Sequence, residues 1–223
     1  MSIADLLPDI DSAIRAHLSA ADPDLAALVA RTGPCHLRVD TVQEPYEALV
    51  NAIAHQQLHG RAAVAILGRF VALAGGVFPA PDALLAMSVD DLRGCGFSGS
   101  KILAMQGVAQ ARLAGIVPSR QEAMFLSDDE LIARLTSLRG IGRWTVEMLL
   151  IFALGRPDVM PVDDFGVRDG WRVLKGLDVA PRPKVLADIA RAWSPYRSAA
   201  AWYLWRASDE AKPAARANPM TGA

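Results

Sequence analysis

The chain has 223 residues, with 24 acidic against 23 basic side chains and a formal net charge of −1. It therefore lacks the overall basic surface that most nucleic-acid binders present, and any grip on a polyanion has to be local. Half the residues are hydrophobic (52%), enough to bury a core in one domain or two small lobes, yet no apolar run is long enough to span a membrane.

Taken in chain order, nearly every segment has helical spacing. Residues 2–19 and 23–31 read as helices, interrupted by Thr32-Gly33-Pro34, and Pro45 suits the first turn of a helix reaching about His55. His36 to Val42 is the one stretch with strand-like alternation. Residues 60–74 form a further helix ended by Gly75-Gly76, residues 81–87 a short one, Ser88 heads a cap, and Lys101 to Ala114 is a long helix. Ser127 with Glu130 three residues on makes a capping box, followed by Leu131, Ile132, Leu135 and Leu138 at helical spacing. Arg139-Gly140-Ile141-Gly142 breaks that helix; a second runs from near Arg143 to about Leu154, with Gly155 as its stop. Asp164 to Leu174, Lys184 to Trp193 and Tyr196 to about Ala207 complete the set, and the tail from Ala211 is expected to fray. The expected fold is all-α, a single domain over 1–210 made of two helical lobes with a cleft between them, and a disordered tail over 211–223.

Compartment and metals are bounded by a few residue types. The N-terminus, Met-Ser-Ile-Ala-Asp-Leu-Leu-Pro, has no basic region followed by an apolar run, so no signal peptide is expected. Cys35 and Cys95 cannot build a four-cysteine cluster or a disulfide framework, and four histidines without a carboxylate or cysteine pattern make no transition-metal site. An intracellular, reduced protein is the expectation.

The informative segment is 138–164. Its Gly-x-Gly turn permits backbone conformations and close approaches that side chains block, and the following helix N-terminus offers N–H groups suited to a phosphate. A lone Gly-x-Gly fits an ordinary helix–helix turn equally well. Pro161-Val162-Asp163-Asp164, one helix downstream, adds carboxylates at a spacing that suggests chemistry on a nucleotide held beside the turn. Arg61, Lys101, Arg143, Arg168 and Arg197 are candidate phosphate cations; each could instead pair with a carboxylate on a solvated face.

Leu138-Arg139-Gly140-Ile141-Gly142-Arg143-Trp144-Thr145 together with Val162-Asp163-Asp164 resembles the helix-hairpin-helix-Gly/Pro-Asp superfamily of DNA glycosylases, and within it the 3-methyladenine DNA glycosylase II family. Three further segments agree: His55-Gln56-Gln57-Leu58-His59, Gly96-Phe97-Ser98 with Lys101, and Trp193-Ser194-Pro195-Tyr196-Arg197-Ser198 followed by Trp202 and Trp205. The likeness spans roughly residues 40–207. That leaves too little chain ahead of it for the β-rich N-terminal domain of some relatives, so the compact version is expected.

The resemblance implies an enzyme that flips an alkylated purine, of the 3-methyladenine or 7-methylguanine type, out of duplex DNA and hydrolyses its glycosidic bond. Asp164 would be the catalytic carboxylate, with Asp163 as near rival and helix capping as the ordinary role of such residues. Trp144 stands where lyase-type relatives carry a Schiff-base lysine, which implies a monofunctional hydrolase. Trp144, Met148 and Trp205 would line the base pocket, with Trp202 as the alternate to Trp205 and core packing as the plain reading of either tryptophan. Met148 departs from the tyrosine of some relatives. Gln57 would be the wedge filling the vacated stack, flanked by Gln56 and Leu58, with His55 and His59 near phosphates or uninvolved. Gly140, Gly142, Arg143 and Thr145 would hold DNA. Carbonyls of Thr136, Leu138 and Ile141 would hold a monovalent cation (Na or K), with no other cofactor required. The partner is double-stranded DNA, with no membrane, and the expected state is a monomer. A non-catalytic damage-binding protein built on the same hairpin is the alternative.

Overall fold

The computed structural model describes residues 8–57 and 60–211. Residues 2–7 of the first expected helix, Leu58, His59 and the tail from 212 onward lie outside the described residues. The helices are α1 (Pro8–Ala21), α2 (Pro23–Thr32), α3 (Pro45–His55), α4 (Gly60–Leu73), α5 (Pro81–Ala86), α6 (Val89–Cys95), α7 (Gly99–Leu113), α8 (Arg120–Ala123), α9 (Asp128–Thr136), α10 (Arg143–Met148), α11 (Phe165–Leu174), α12 (Pro183–Ile189) and α13 (Arg197–Glu210). No strand occurs among the described residues.

Local chemistry sets many of these boundaries. Pro23, Pro45, Pro81 and Pro183 each open a helix, where the missing N–H leaves nothing unsatisfied. Ser88, Ser98, Ser119 and Ser127 cap α6, α7, α8 and α9 by accepting a backbone N–H. Ser127–Glu130 forms the expected capping box in both directions, and Ser119–Glu122 forms a second one that starts the unexpected α8. Because Ser98 is a cap, α7 begins at Gly99 rather than Lys101.

Three expectations are corrected. His36 to Val42 is no strand: its side chains do alternate, with Leu37 buried and His36 and Arg38 exposed, but Arg38 is only an isolated bridge. An extended chain lying along a helical surface shows the same period of two without a ladder. The helix after the hairpin is not one α-helix to Leu154. It passes at Leu149–Ala153 into a π turn, closed by Leu154 N–H donating to the Leu149 carbonyl at 3.0 Å. Lys184 to Trp193 likewise divides into α12 and a 3₁₀ turn over Ala190–Trp193.

The chain forms two compact units, one from residues 1–38 with 156–223 and one from residues 39–155. In the first, α11 and α13 cross so closely that a Cβ on Gly170 would stand 1.9 Å from the Leu204 carbonyl oxygen, a contact only glycine allows. Around that crossing Trp193 is fully buried with its ring 5.2 Å from that of Trp171, and Tyr203 donates to the Gly33 carbonyl at 2.8 Å. In the second unit, α3 and α7 pack together around Leu49, Ile53, Ile102 and Met105, with Phe70 and Phe97 edge to face at 5.5 Å.

Candidate active site

The hairpin belongs to the second unit. α9 ends at Thr136, Leu138 accepts a turn bond from Ile141 N–H at 3.1 Å, and α10 starts after Gly142. Gly140 has φ of 83°, in the left-handed region, and an added Cβ would meet the Ala104 Cβ of α7 at 3.0 Å. Gly142 differs from the expectation: its φ is −91° and nothing lies within 4 Å of where a Cβ would be. The fold itself requires only the first glycine, and the second leaves the face before α10 open to an approaching group.

The Gln-Gln segment follows α3 and is fixed from two sides. Lys101 Nζ donates to the Ala54 carbonyl at 2.8 Å, occupying an acceptor at the end of α3, and burial lowers the lysine pKa. Gln56 Nε2 donates to the Gly140 carbonyl at 2.9 Å. Gln57 then adopts φ of 56°, rare for a side-chain-bearing residue, and is exposed. Lys101 and Gln56, both expected to meet DNA, are thus tied to backbone of their own unit. Leu58, the third expected residue here, lies outside the described residues.

A cavity of about 760 Å³ opens in this unit. Trp144, Met148, Phe152 and Leu149 line one side, and Asn51, His55 and Ala48 of α3 line the other, with Gln56 and Gln57 at its edge. Trp144 and Phe152 keep 45% and 38% of their surface exposed, large values for aromatic residues that pack for stability. The structure therefore brings together two of the expected pocket residues, Trp144 and Met148. Sequence reasoning missed Phe152, Asn51 and the cavity-facing place of His55, although the i, i+4, i+8 spacing of Trp144, Met148 and Phe152 was available as a signal. Thr145 lines the same cavity and is buried. Arg143 donates from Nε to Glu147 at 2.9 Å; the carboxylate is 2% exposed and the arginine 56%, so one edge of the guanidinium stays in solvent.

Asp164 belongs to the first unit. It is the cap of α11: its Oδ1 accepts from Val167 N–H at 2.8 Å and from the Trp205 indole N–H at 2.8 Å. The capping role expected of Asp163 therefore falls to Asp164, and Asp163 lies exposed in the turn before it. Trp205 reaches the carboxylate because Gly166 is bare; a Cβ there would stand 2.8 Å from the indole. Two N–H donors on one oxygen fix the rotamer of Asp164, while Trp202 is buried and 5.6 Å from the Arg206 guanidinium. A carboxylate held in this way can stabilise positive charge developing on a neighbouring atom without reorganising during the reaction.

The remaining motif residues turn out to be scaffolding. Arg197 makes a bidentate pair with Asp158 at 2.7 and 2.9 Å, Ser194 donates to the same carboxylate, and Ser198 donates to the Arg156 carbonyl. Arg168 donates to the Pro181 carbonyl at 2.8 Å. Of the five candidate phosphate cations, Arg61 is exposed on α4, and Arg143 keeps part of its guanidinium in solvent.

Comparison with known proteins places the fold in a family. Residues 50–195 match the family model described as HhH-GPD superfamily base excision DNA repair protein. DNA-3-methyladenine glycosylase 1 of Schizosaccharomyces pombe is 45% identical over 202 residues, covering 88% of this chain and 89% of that protein. A solved structure of the S. pombe 3-methyladenine DNA glycosylase in complex with abasic DNA superposes with a TM-score of 0.80 at 44% identity, covering 86% of this chain and 95% of that one. A DNA-3-methyladenine glycosidase from Bacillus halodurans superposes with a TM-score of 0.79 at 34% identity over 87% and 88% of the two chains. The chain belongs to the HhH-GPD superfamily of base excision DNA repair proteins.

Proposed function

We propose that the protein is a monofunctional DNA glycosylase that removes alkylated purines, of the 3-methyladenine and 7-methylguanine type, from double-stranded DNA and leaves an abasic site. The observation that carries this reading is Asp164, a carboxylate held on Oδ1 by two N–H donors in a chain similar over most of its length to a DNA-3-methyladenine glycosylase. The C1′–N bond breaks with its electron pair going to the purine. A purine already cationic from alkylation leaves neutral, so little acid catalysis on the base is needed. Asp164 stabilises the positive charge left on the sugar. Water oxygen then bonds to C1′ and loses a proton to the carboxylate or to solvent.

Trp144 supplies an aromatic face to the flipped cationic base and no amine, so no Schiff base forms. Met148 completes that wall, Trp205 orients Asp164, and Gln57 fills the vacated stack. Gly140, Gly142, Arg143 and Thr145 form the phosphate-facing hairpin. Thr136, Leu138 and Ile141 offer main-chain carbonyls in the turn after α9, at the negative end of a helix dipole. Such hard oxygen donors suit Na or K, and the Leu138 carbonyl, which accepts from Ile141 N–H, keeps a second lone pair. Bound there, the cation would supply positive charge that favours a DNA phosphate beside the hairpin. The protein acts as a monomer, inside the cell, where its substrate is. Among the described residues no helix is long and apolar enough to cross a membrane.

The test is release of free base from methylated duplex DNA, run with and without borohydride. Free 3-methyladenine or 7-methylguanine with no trapped protein–DNA adduct is expected. No release overturns the enzymatic reading, and a trapped adduct overturns the monofunctional one.

A further inference from the structure

Resting on the glycosylase reading, one side chain in the cavity wall bears on which bases are taken. His55 Nδ1 lies 2.8 Å from the Asn51 carbonyl oxygen. A carbonyl only accepts, so Nδ1 carries the proton and Nε2 of the neutral ring is left as an acceptor. His55 is exposed and lines the cavity that Trp144 walls on the other side. No aspartate, glutamate, lysine or arginine is among the described residues lining that cavity. We propose that His55 is a specificity-determining residue: its Nε2 accepts from the exocyclic amino group of a bound alkylated purine. It thereby favours amino purines over purines without that donor.

The charged groups around it do not compete for this role. On α3 itself Glu47 lies two turns earlier. On the elements packed against α3, Lys101 donates to Ala54, Arg69 to the Cys95 carbonyl, Arg112 to the Val117 carbonyl, and Arg143 to Glu147, while Arg61 is exposed. The π turn carries no charged residue. An acceptor also suits the substrate's charge, because the amino protons of a cationic purine are strong donors. Hypoxanthine has no exocyclic amine and ethenoadenine has no N–H there, so neither can satisfy Nε2, and a site built around a hydrogen bond discriminates against an analogue lacking it.

The experiment measures excision of 3-methyladenine, 7-methylguanine, hypoxanthine and ethenoadenine by wild type, His55→Ala and His55→Gln. It also measures binding of the free bases by tryptophan fluorescence. His55→Ala is expected to lower release of the two amino purines roughly 10-fold, the worth of one hydrogen bond to a charged group, and to leave the other two within about 2-fold. His55→Gln, which keeps an acceptor, should retain the amino preference. Equal loss on all four substrates, or no change on any, overturns the proposal. If wild type releases no base at all, the glycosylase reading fails separately. Amino-selective binding of free base that His55→Ala abolishes would then still uphold this inference, and its absence would overturn it.

Discussion

The two units hold their functional residues by different means. In the unit of residues 39–155 the bonds that set the loops run from a side chain to a main-chain carbonyl: Lys101 to Ala54, Gln56 to Gly140, Arg120 to Gln43, while Arg143 pairs with the Glu147 carboxylate. In the unit containing Asp164 several converge on carboxylates, beside main-chain ties from Arg168, Ser198 and Tyr203. Asp158 collects Arg197 and Ser194; Asp169 collects Arg172 and Ser208; Asp22 collects Lys175; Asp164 collects Trp205. The first style sets the course of exposed loops with little change in local charge. The second fixes acids, and makes the stability of that unit answer to pH.

Four substitutions put this contrast at risk. Asp164→Asn should reduce base release about 10²–10³-fold, the range seen when one preorganised electrostatic group is lost. It should barely move the melting temperature, because asparagine also caps helices. A comparable melting loss would mean that the residue is mainly a cap. Gly170→Ala forces a methyl against the Leu204 carbonyl and should destabilise the protein by about 3 kcal/mol, read by thermal or urea unfolding. A neutral result would show that α11 and α13 can part freely.

Lys175→Met should cost about 1.5–3 kcal/mol at neutral pH, since the ammonium reaches Asp22 at 2.7 Å and Asp24 at 2.5 Å. The pair also predicts a pH signature. Burial raises the Asp22 pKa, but the Lys175 hydrogen bond and the Leu25 and Asp24 N–H groups bring it net below its ordinary 3.8. Its stabilisation is therefore present above 3.8 and is lost as pH falls through the lower folded value. Burial lowers Lys175, but its bonds to Asp22 and Asp24 raise it net above 10.5, so its share holds below 10.5 and is lost as pH rises through the higher folded value. Melting curves of the variant should lack most of this dependence at both ends. Gln56→Ala, the smallest effect, should weaken binding to abasic duplex about 5-fold with an unchanged melting temperature, the worth of one neutral hydrogen bond. A drop in melting temperature instead would show that a main-chain tie of this kind supports the core.

The features legible in the sequence were local ones. The Ser127–Glu130 capping box, the proline start at Pro45 and the hairpin depend on residues within four positions of each other, and the structure has them where their chemistry put them. The strand-like stretch at His36–Val42 misled because alternation reports only that two faces differ, not that a neighbouring strand exists. The π turn has no composition signature, so the change of helix type after Met148 was hidden even though the spacing of Trp144, Met148 and Phe152 was legible. Long-range partners were also hidden. Arg197 looked like a phosphate cation because its partner Asp158 lies 39 residues away, and the bond of Trp205 to Asp164, across 41 residues, was equally hidden.

Helix α7 touches both exposed loops of its unit at neighbouring positions. Lys101 reaches the chain just before the Gln-Gln segment, and Ala104, one turn on, lies under Gly140. The helix therefore acts as a gauge that sets the spacing of Gln56 and the hairpin by the pitch of a single turn. One residue inserted between Ser98 and Ala104 would rotate the downstream part of the helix by about 100° and put both loops out of register together. Length variation should thus be barred from this short stretch and tolerated in the glycine-rich link that precedes it at Gly75-Gly76.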